Sequence, residues 1–314
     1  MRWEDLPQSE NIEDRRDDDG YIDQPGYGGP GGYGGFPVGA GGLSIGTILV
    51  LGLLGWALGV DPRVLIESID RVGPYGAPHY EAPIRESPRR TGAPSDEMGR
   101  FVSAVLGSAD VQWRDILAAE GHTYRPPRLI LFRSFTHAGA CGMAQSAMGP
   151  FYCPPTREIY LDTSFFDELQ RRFRGCSGKA CEFAQAYVIA HEVGHHVQNL
   201  LGILGKAQQA QRVAGSPVAA NRIKVRVELQ ADCFAGVWAY HADRKWKFME
   251  PGDVEAALQT ASAIGDDMLQ RRAQGRVVPE SFTHGSSEQR KRWFTIGWKN
   301  GTLAACDTFN AAQL

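Results

Sequence analysis

Residues 182–201 carry the clearest apolar pattern in the chain. Phe183 and Tyr187 are four residues apart, and the same spacing continues through positions 191 and 195. Because residues four apart lie on one face of a helix, this pattern predicts a long helix with one distinctive face. No glycine or proline interrupts its first half, and Gly202 follows as a candidate C-terminal cap. The segment therefore predicts a helix that ends just before this glycine.

The other periodic segments after residue 94 predict a mostly helical domain with a small sheet. Short apolar runs bounded by prolines predict strands at 128–133 and 158–162. Helical periods cover 98–106, 109–119, 163–172, 217–242 and 253–271, with a break expected at Gly107 and Ser108. Ser216 and Pro217 favour the start of the fourth of these helices, and a capping box at Ser286–Gln289 opens a last one. We predict an α+β fold over residues 95–314.

Residues 1–42 differ in composition from the rest of the chain. They contain 3 basic and 9 acidic residues, a net charge of −6 against +3 for the remainder, and residues 24–42 include 10 glycines. Neither part has a helical or strand period, nor enough apolar surface to offset its ordering entropy. We expect a disordered tail. The whole chain is near neutral at −3 without a long basic run, which gives no support for nucleic-acid binding.

Residues 43–60 form an uncharged apolar run of 18 residues. As a helix this run would measure roughly 27 Å, close to the thickness of the hydrocarbon core of a bilayer. It predicts one transmembrane helix, and the spacing of Gly55 and Gly59 would allow self-association through it. The alternatives are a cleaved signal peptide, whose leader would normally be short and basic, and a buried core helix. Residues 61–94 are interpreted as a linker.

The predicted helix contains Ala-His-Glu-Val-Gly-His-His-Val-Gln at 190–198. His191 and His195 can offer two imidazoles to one metal ion because they lie one helical turn apart. Two neutral imidazoles suit zinc, and Glu192 lies within reach of a water in the open position of the metal, where its carboxylate can act as general base. This is the His-Glu-x-x-His motif of metalloproteases. The alternative is a core helix with two hydrogen-bonded histidines and a surface glutamate.

A catalytic zinc ion needs a third protein ligand. Glu228 and Asp232 are four residues apart in the predicted helix at 217–242, and apolar residues surround them. We interpret Glu228 as the third ligand. Asp232 then fits as the acceptor for the outer imidazole N–H of a ligand histidine. Two solvated surface acids are the alternative, which the apolar neighbours disfavour.

All the cysteines lie after the apolar run, and none of them forms a Cys-x-x-Cys pair. Their even number favours disulfides, for which we predict the pairs Cys141 with Cys153, Cys176 with Cys181, and Cys233 with Cys306. Disulfides need an oxidising compartment, so the folded domain is expected on the outer side of a bacterial cytoplasmic membrane. Buried free thiols in a cytoplasmic domain are the alternative.

The combination of His191–Gln198, Glu228–Asp232 and Phe282–Arg290 resembles the neutral zinc metallopeptidase family, the YpfJ-like bacterial membrane proteins. The opening residues and the single apolar run resemble that family too, so the likeness covers most of the chain. The resemblance implies a zincin-like fold and one bound Zn²⁺ per chain. In zincins an edge strand near the metal pairs with an extended peptide substrate, and by this analogy residues 141–152 are the candidate edge.

Thr283-His284-Gly285 resembles the Thr-His-Pro element of HtpX-like and CAAX-type membrane metalloproteases, with glycine in place of proline. That resemblance implies that His284 donates a hydrogen bond to the oxyanion that forms at the scissile carbonyl. The alternative is a histidine that caps the following helix. Asp266 and Asp267 are interpreted as surface acids of a helix.

These residues predict a membrane-anchored zinc endopeptidase that acts on a protein or peptide. His191, His195 and Glu228 would bind zinc, and Glu192 would be the general base. Two other functions remain open. One is a zinc amidohydrolase with a non-peptide substrate, and the other is a non-catalytic, membrane-tethered interaction protein that retains a metal site.

Overall fold

The computed structural model describes residues 1–17, 90–171 and 180–314. The strands in this part of the chain are β1 Ile12–Asp14, β2 Arg90–Thr91, β3 Arg128–Phe132, β4 Phe135–His137, β5 Met143–Gln145, β6 Phe151–Cys153 and β7 Glu158–Asp162. The helices are α1 Glu97–Ala119, α2 Ser164–Arg171, α3 Ala180–Leu200, α4 Ile203–Arg212, α5 Pro217–Trp246, α6 Asp253–Ala263, α7 Asp266–Gln274 and α8 Ser287–Asn300. The expected α+β composition, mostly helical with a small sheet, is confirmed. The zincin-like assignment stays a prediction.

Five strands form one sheet in the order β2, β1, β3, β7, β6. Strands β1, β3 and β7 are parallel, whereas β2 and β6 pair antiparallel at the two edges. The inner strands β3 and β7 are buried over four of their five residues, which explains why their sequences read as continuous apolar runs and not as alternating ones. Strands β4 and β5 form a separate antiparallel pair.

Residues 1–17 belong to the folded domain, so the prediction of a disordered tail is wrong for this segment. Trp3 packs edge-to-face on Phe101 of α1, with ring centroids 5.8 Å apart, and β1 lies between β2 and β3. Leu6 and Ile12 are buried as well. The apolar residues have no period because the segment forms a single short strand and irregular turns. Its burial depends on surfaces that the rest of the domain supplies.

The remaining predictions for the N-terminal third fall mostly outside the described residues. These are the rest of the tail, the transmembrane helix at 43–60, and the linker at 61–94 up to residue 89. The end of the predicted linker is part of the sheet, because Arg90 and Thr91 pair with β1. Among the residues that are described, no helix has both the length and the apolar character needed to cross a bilayer.

Helix α1 is continuous, so the break expected at Gly107 is wrong. A Cβ atom at this position would overlap the carbonyl oxygen of Pro7 and the backbone of the next two residues. The glycine therefore marks the place where the N-terminal segment crosses the helix at close range. The backbone N–H of Ser9 donates to the Ser103 carbonyl beside it, at 3.0 Å.

Glycines also let α3, α5 and α8 pack with their backbones close together. A Cβ atom at Gly194 would lie 2.9 Å from the carbonyl oxygen of Ala231 in α5. In the contact between α5 and α8, a Cβ atom at Gly236 or Gly297 would overlap a backbone carbonyl oxygen of the other helix. These close approaches bring the polar faces of the three helices within hydrogen-bonding distance of one another.

Two of the three predicted disulfides are present among the described residues. Cys141 bonds to Cys153, and Cys233 bonds to Cys306, with Cα atoms 6.1 and 5.6 Å apart. Cys181 is also disulfide-bonded, and its predicted partner, Cys176, lies outside the described residues. The bridge between Cys233 and Cys306 joins α5 to the C-terminal segment.

Candidate metal centre

Helices α3 and α5 bring three of the predicted site residues together. One ligand atom from each of His191, His195 and Glu228 lies within 4.8 Å of the others. The Nε2 atoms of the two histidines lie 3.3 and 3.5 Å from Oε2 of Glu228. The two helices thus form one cluster of two imidazoles and a carboxylate from the three residues that the sequence predicted as ligands.

The outer nitrogen of each histidine has a hydrogen-bond partner. Nδ1 of His191 lies 2.8 Å from Oδ1 of Asp232, and Nδ1 of His195 lies 2.9 Å from Oε1 of Gln198. Both partners accept, so each Nδ1 carries a proton, and in the neutral form of each imidazole Nε2 would direct a lone pair toward the cluster. Gln198 is itself held by donating to the Val227 carbonyl at 2.8 Å.

Asp232 is the centre of a buried hydrogen-bond network. Besides His191, it accepts from the Tyr187 hydroxyl at 2.5 Å and from Nε and Nη2 of Arg290, both at 2.8 Å. Burial alone would raise the pKa of Asp232, but the charge of Arg290 and the contact with His191 outweigh it and bring the pKa to about 2. The carboxylate is therefore ionised at neutral pH and remains a strong acceptor for His191.

Glu192 is buried beside this cluster with little hydrogen bonding. Its Oε2 atom has no partner among the described residues, and burial raises the pKa of the carboxyl group. An unpaired buried carboxylate oxygen is costly in a core, and it is the feature expected of a base that faces a substrate or water. The observation argues against a purely structural role for this residue.

The charges of the three clustered residues fit a bound cation. Burial would lower the pKa values of both histidines, yet the carboxylates of Asp232 and Glu228 raise that of His191 to about 10, and Glu228 raises that of His195. Burial would raise the pKa of Glu228, but the charge of His195 and the hydrogen bonds from both histidines hold it well below its usual range. The carboxylates thus stabilise a positive charge at the cluster. A bound zinc ion would supply that charge while both imidazoles are neutral.

Asp266 holds the loop that carries His284. Oδ2 of Asp266 accepts the backbone N–H groups of Thr283, His284 and Gly285 at 2.6 to 3.1 Å, and its Oδ1 lies 3.2 Å from Nδ1 of His284. The imidazole is half exposed, and its charge contributes to the low pKa of Glu228. Asp266 is therefore not a surface acid, as the sequence suggested. It fixes the histidine loop.

Ser286, and not His284, caps the N-terminus of helix α8. The Ser286 side chain accepts from the backbone N–H of Gln289, and the Gln289 side chain accepts from the backbone N–H of Ser286. This confirms the predicted capping box. Since the box satisfies the helix start, the capping explanation for His284 has no support from the contacts of its side chain.

The candidate edge segment, residues 141–152, divides between two structural units. Strand β5 pairs with β4, whereas β6 is the outer strand of the main sheet next to β7. Tyr152 of β6 contacts α3, because its hydroxyl lies 3.0 Å from Nδ1 of His196 and accepts from the Asn199 amide at 2.8 Å. The edge strand is thus joined to the helix that carries the metal-binding face.

Three residues of the site were not assigned roles from the sequence: Gln198, Asp266 and Arg290. Gln198 follows His195 by three residues, a spacing that places both on one helical face and that could have indicated it. Arg290 is 58 residues from Asp232, and Asp266 is 18 residues from His284. No local pattern links such pairs, so only the packing of α5, α7 and α8 shows them.

Comparison with known protein families and sequences identifies relatives of this chain. The profile of a family described as "Putative neutral zinc metallopeptidase" matches residues 1–309. The chain is 44% identical to the uncharacterized protein YpfJ of Escherichia coli K12 over 98% of this chain and 99% of that protein. It is also 44% identical to the uncharacterized protein Rv2575 of Mycobacterium tuberculosis H37Rv over 82% and 85% of the two chains. No solved structure matches the chain.

Proposed function

The chain belongs to the neutral zinc metallopeptidase family, and we propose that it is a zinc-dependent endopeptidase with His191, His195 and Glu228 as zinc ligands. The observation that carries the proposal is the cluster of three ligand atoms within 4.8 Å of one another, beside Glu192, whose Oε2 has no hydrogen-bond partner among the described residues. Three protein ligands leave a fourth position for water or substrate, which is typical of a catalytic zinc site and not of a structural one.

When bound at this cluster, zinc would polarise the scissile carbonyl and lower the pKa of a water molecule. Glu192 would take a proton from the water that attacks the carbonyl carbon and later deliver it to the leaving amine. Burial raises the pKa of Glu192 and so makes the carboxylate a better proton acceptor. Asp232 and Gln198 hold both ligand imidazoles in the tautomer with Nε2 unprotonated.

His284 supplies a second electrophilic group in this proposal. In the tautomer whose Nδ1 accepts from the Thr283 hydroxyl at 3.0 Å, the Nε2–H group of His284 can donate to the carbonyl oxygen as negative charge develops there. The three backbone hydrogen bonds from residues 283–285 to Asp266 hold this loop in place before substrate binds. A donor fixed in advance costs little reorganisation during the reaction.

The folded domain is proposed to work in an oxidising compartment, on the outer side of the bacterial cytoplasmic membrane. The bridges Cys141 to Cys153 and Cys233 to Cys306 support this location, since such bonds persist outside the reducing cytoplasm. A protein or peptide in the cell envelope is then the expected class of substrate.

The test is a cleavage assay with the zinc-loaded, full-length protein and a peptide library read by mass spectrometry. Glu192→Gln should keep zinc and lose cleavage, whereas the matched control Glu288→Gln, on the exposed face of α8, should behave like the wild type. Full activity of Glu192→Gln would refute the mechanism. If the zinc-loaded wild type cleaves amide-containing small molecules but no peptide, the amidohydrolase alternative replaces the peptidase.

A further inference from the structure

The chain leaves and re-enters the main sheet at the same end. Strand β1 runs parallel to β3, and residues 15–17 continue from its carboxyl end. Strand β2 begins at Arg90, which lies opposite Asp14, the last residue of β1. Residues 17 and 90 therefore both lie at the carboxyl end of the parallel strands, and the 72 residues between them begin and end there.

Exposed apolar side chains lie on the β4–β5 hairpin and on the turn before β6. The hairpin starts at this end of the sheet and folds back over it, so that Cys141 beyond β4 reaches Cys153 opposite the first residue of β7. Phe135 of β4 is 39% exposed, Met143 of β5 is 45% exposed, and Met148, in the turn before β6, is 47% exposed. These are three of the four large hydrophobic residues that are exposed in the described part of the chain, and Val213 is the fourth. Ala144 of the same hairpin is buried, so the hairpin packs one face on the sheet and presents the other outward, where His137 and Gln145 lie beside Phe135 and Met143.

Contacts fix the hairpin to the place where the chain exits. Nη1 of Arg15, one residue after β1, donates to the Thr136 hydroxyl at 3.3 Å and to the His137 carbonyl at 3.1 Å. The backbone N–H of Ser134 donates to Asp162 at the carboxyl end of β7, at 2.9 Å. The exit point, the hairpin and the ends of β3 and β7 thus form one surface, which also includes the exposed Arg133.

We propose that this surface, made of Phe135, Met143, Met148 and Arg133, rests on a lipid bilayer. The occupant follows from the sequence that leaves the domain here, because residues 18–89 include the uncharged apolar run 43–60. Large apolar side chains beside a cation are the composition of a surface that inserts into the boundary between headgroups and acyl chains. The proposal does not depend on the metal chemistry.

The same strand pairing determines the topology of the chain. Neighbouring strands lie about 4.8 Å apart, whereas the hydrocarbon core of a bilayer is about 30 Å thick. Since β1 pairs with both β2 and β3, residues 1–17 and 90–314 lie on one side of any membrane. A chain that crossed the membrane only once between residues 17 and 90 would separate these strands. The single crossing that the sequence suggested is therefore incompatible with this sheet.

The metal-binding helix contacts the opposite end of the sheet. Nε2 of His196 lies 2.6 Å from the carbonyl oxygen of Arg125, before β3, and the Asn199 amide donates to the Pro154 carbonyl, after β6, at 3.1 Å. The hairpin packs on the sheet face that carries Ile130 and Phe132, whereas Leu129 and Leu131, on the other face, belong to the core of the helices. The metal cluster, on two of those helices, therefore lies across the sheet from the proposed lipid surface. A substrate would then approach from the aqueous side.

Lipid contact is tested by placing a photoreactive phenylalanine analogue at single positions of the full-length protein, bound to vesicles of phosphatidylethanolamine and phosphatidylglycerol. Positions 135, 143 and 148 should give lipid adducts, and position 213, equally apolar and more exposed, should give none. Adducts to a second protein chain at the first three positions, or equal lipid labelling at all four, would overturn the proposal.

The topology is tested separately with a membrane-impermeant maleimide on bacterial cells. Glu10→Cys and Glu120→Cys each place one thiol at an exposed position, the first before β1 and the second at the end of α1. The inference requires that the two thiols react to the same extent as each other, both in intact cells and after lysis. Labelling of Glu120→Cys in intact cells together with labelling of Glu10→Cys only after lysis would contradict it.

Discussion

The Asp232 carboxylate neutralises Arg290 and orients His191, and replacing it by asparagine tests both roles. Asp232 is fully buried and accepts hydrogen bonds from Tyr187, His191 and Arg290. The amide keeps the shape but removes the charge, so the guanidinium of Arg290, which is 4% exposed, loses its buried partner. Leaving one charge of a buried pair alone costs about 3 to 5 kcal/mol. We expect Asp232→Asn to lower the free energy of unfolding of the metal-free protein by that amount.

The same substitution should weaken metal binding through His191. An amide in place of the carboxylate is a weaker acceptor for Nδ1–H, and loss of such a partner lowers metal affinity roughly 10- to 100-fold. Denaturant unfolding of the metal-free protein measures the first effect, and competition titration with a chromophoric zinc chelator measures the second. Both measurements use one preparation.

The double substitution Asp232→Asn with Arg290→Met is the control that distinguishes the two effects. Removing the cation as well as the anion should recover most of the lost stability, because no unpaired charge remains. Metal affinity should stay low, because His191 still lacks its carboxylate. A single variant within about 1 kcal/mol of the wild type, or a double variant with restored metal affinity, would refute the account of this network.

Three other substitutions test groups near the cluster and one group far from it. His284→Ala should keep zinc and lower kcat by about a hundredfold with little change in KM, as steady-state kinetics would show. Asp266→Asn should have the same effect but a smaller one. An unchanged kcat in His284→Ala would show that His284 takes no part in the reaction. Asp110 is a remote case, because burial raises its pKa to about 6. The folded state then binds the extra proton from about pH 4 to pH 6, so stability falls as pH rises through this range. The stability of Asp110→Asn relative to the wild type should therefore rise by about 2 kcal/mol between about pH 4 and pH 7 in denaturant unfolding. A pH-independent difference would contradict the raised pKa of Asp110.

Local spacing in the sequence predicted the core of the candidate site. His191 and His195 share a helical face because they are four residues apart, and Glu228 and Asp232 share another for the same reason. Short apolar runs that follow prolines predicted β7 with its observed bounds and β3 with one residue too many, and Ser216 and Pro217 predicted the start of α5. These features depend on residues within one or two turns of each other, which is the range over which sequence patterns carry structural information.

Features that depend on long-range packing could not be predicted in this way. Strand β1 is recognisable only once β2 and β3 lie on either side of it. The predicted helix at 253–271 is in fact two helices, α6 and α7, and a Cβ atom at Gly265 between them would lie 2.5 Å from the backbone nitrogen of Ser287. That break, which directs Asp266 to the His284 loop, arises from contact with α8. A glycine in the sequence does not show whether it caps, bends or permits close approach.

The most direct test of the account is the zinc content of the purified protein, measured by elemental analysis. We predict one zinc per chain in the wild type, in Glu192→Gln, and in His122→Ala, a control at an exposed histidine outside the cluster. His191→Ala, His195→Ala and Glu228→Ala should each lose most of the metal, because three ligands is the minimum for a catalytic zinc site. Full zinc content in any of these last three variants would contradict the assignment of the cluster.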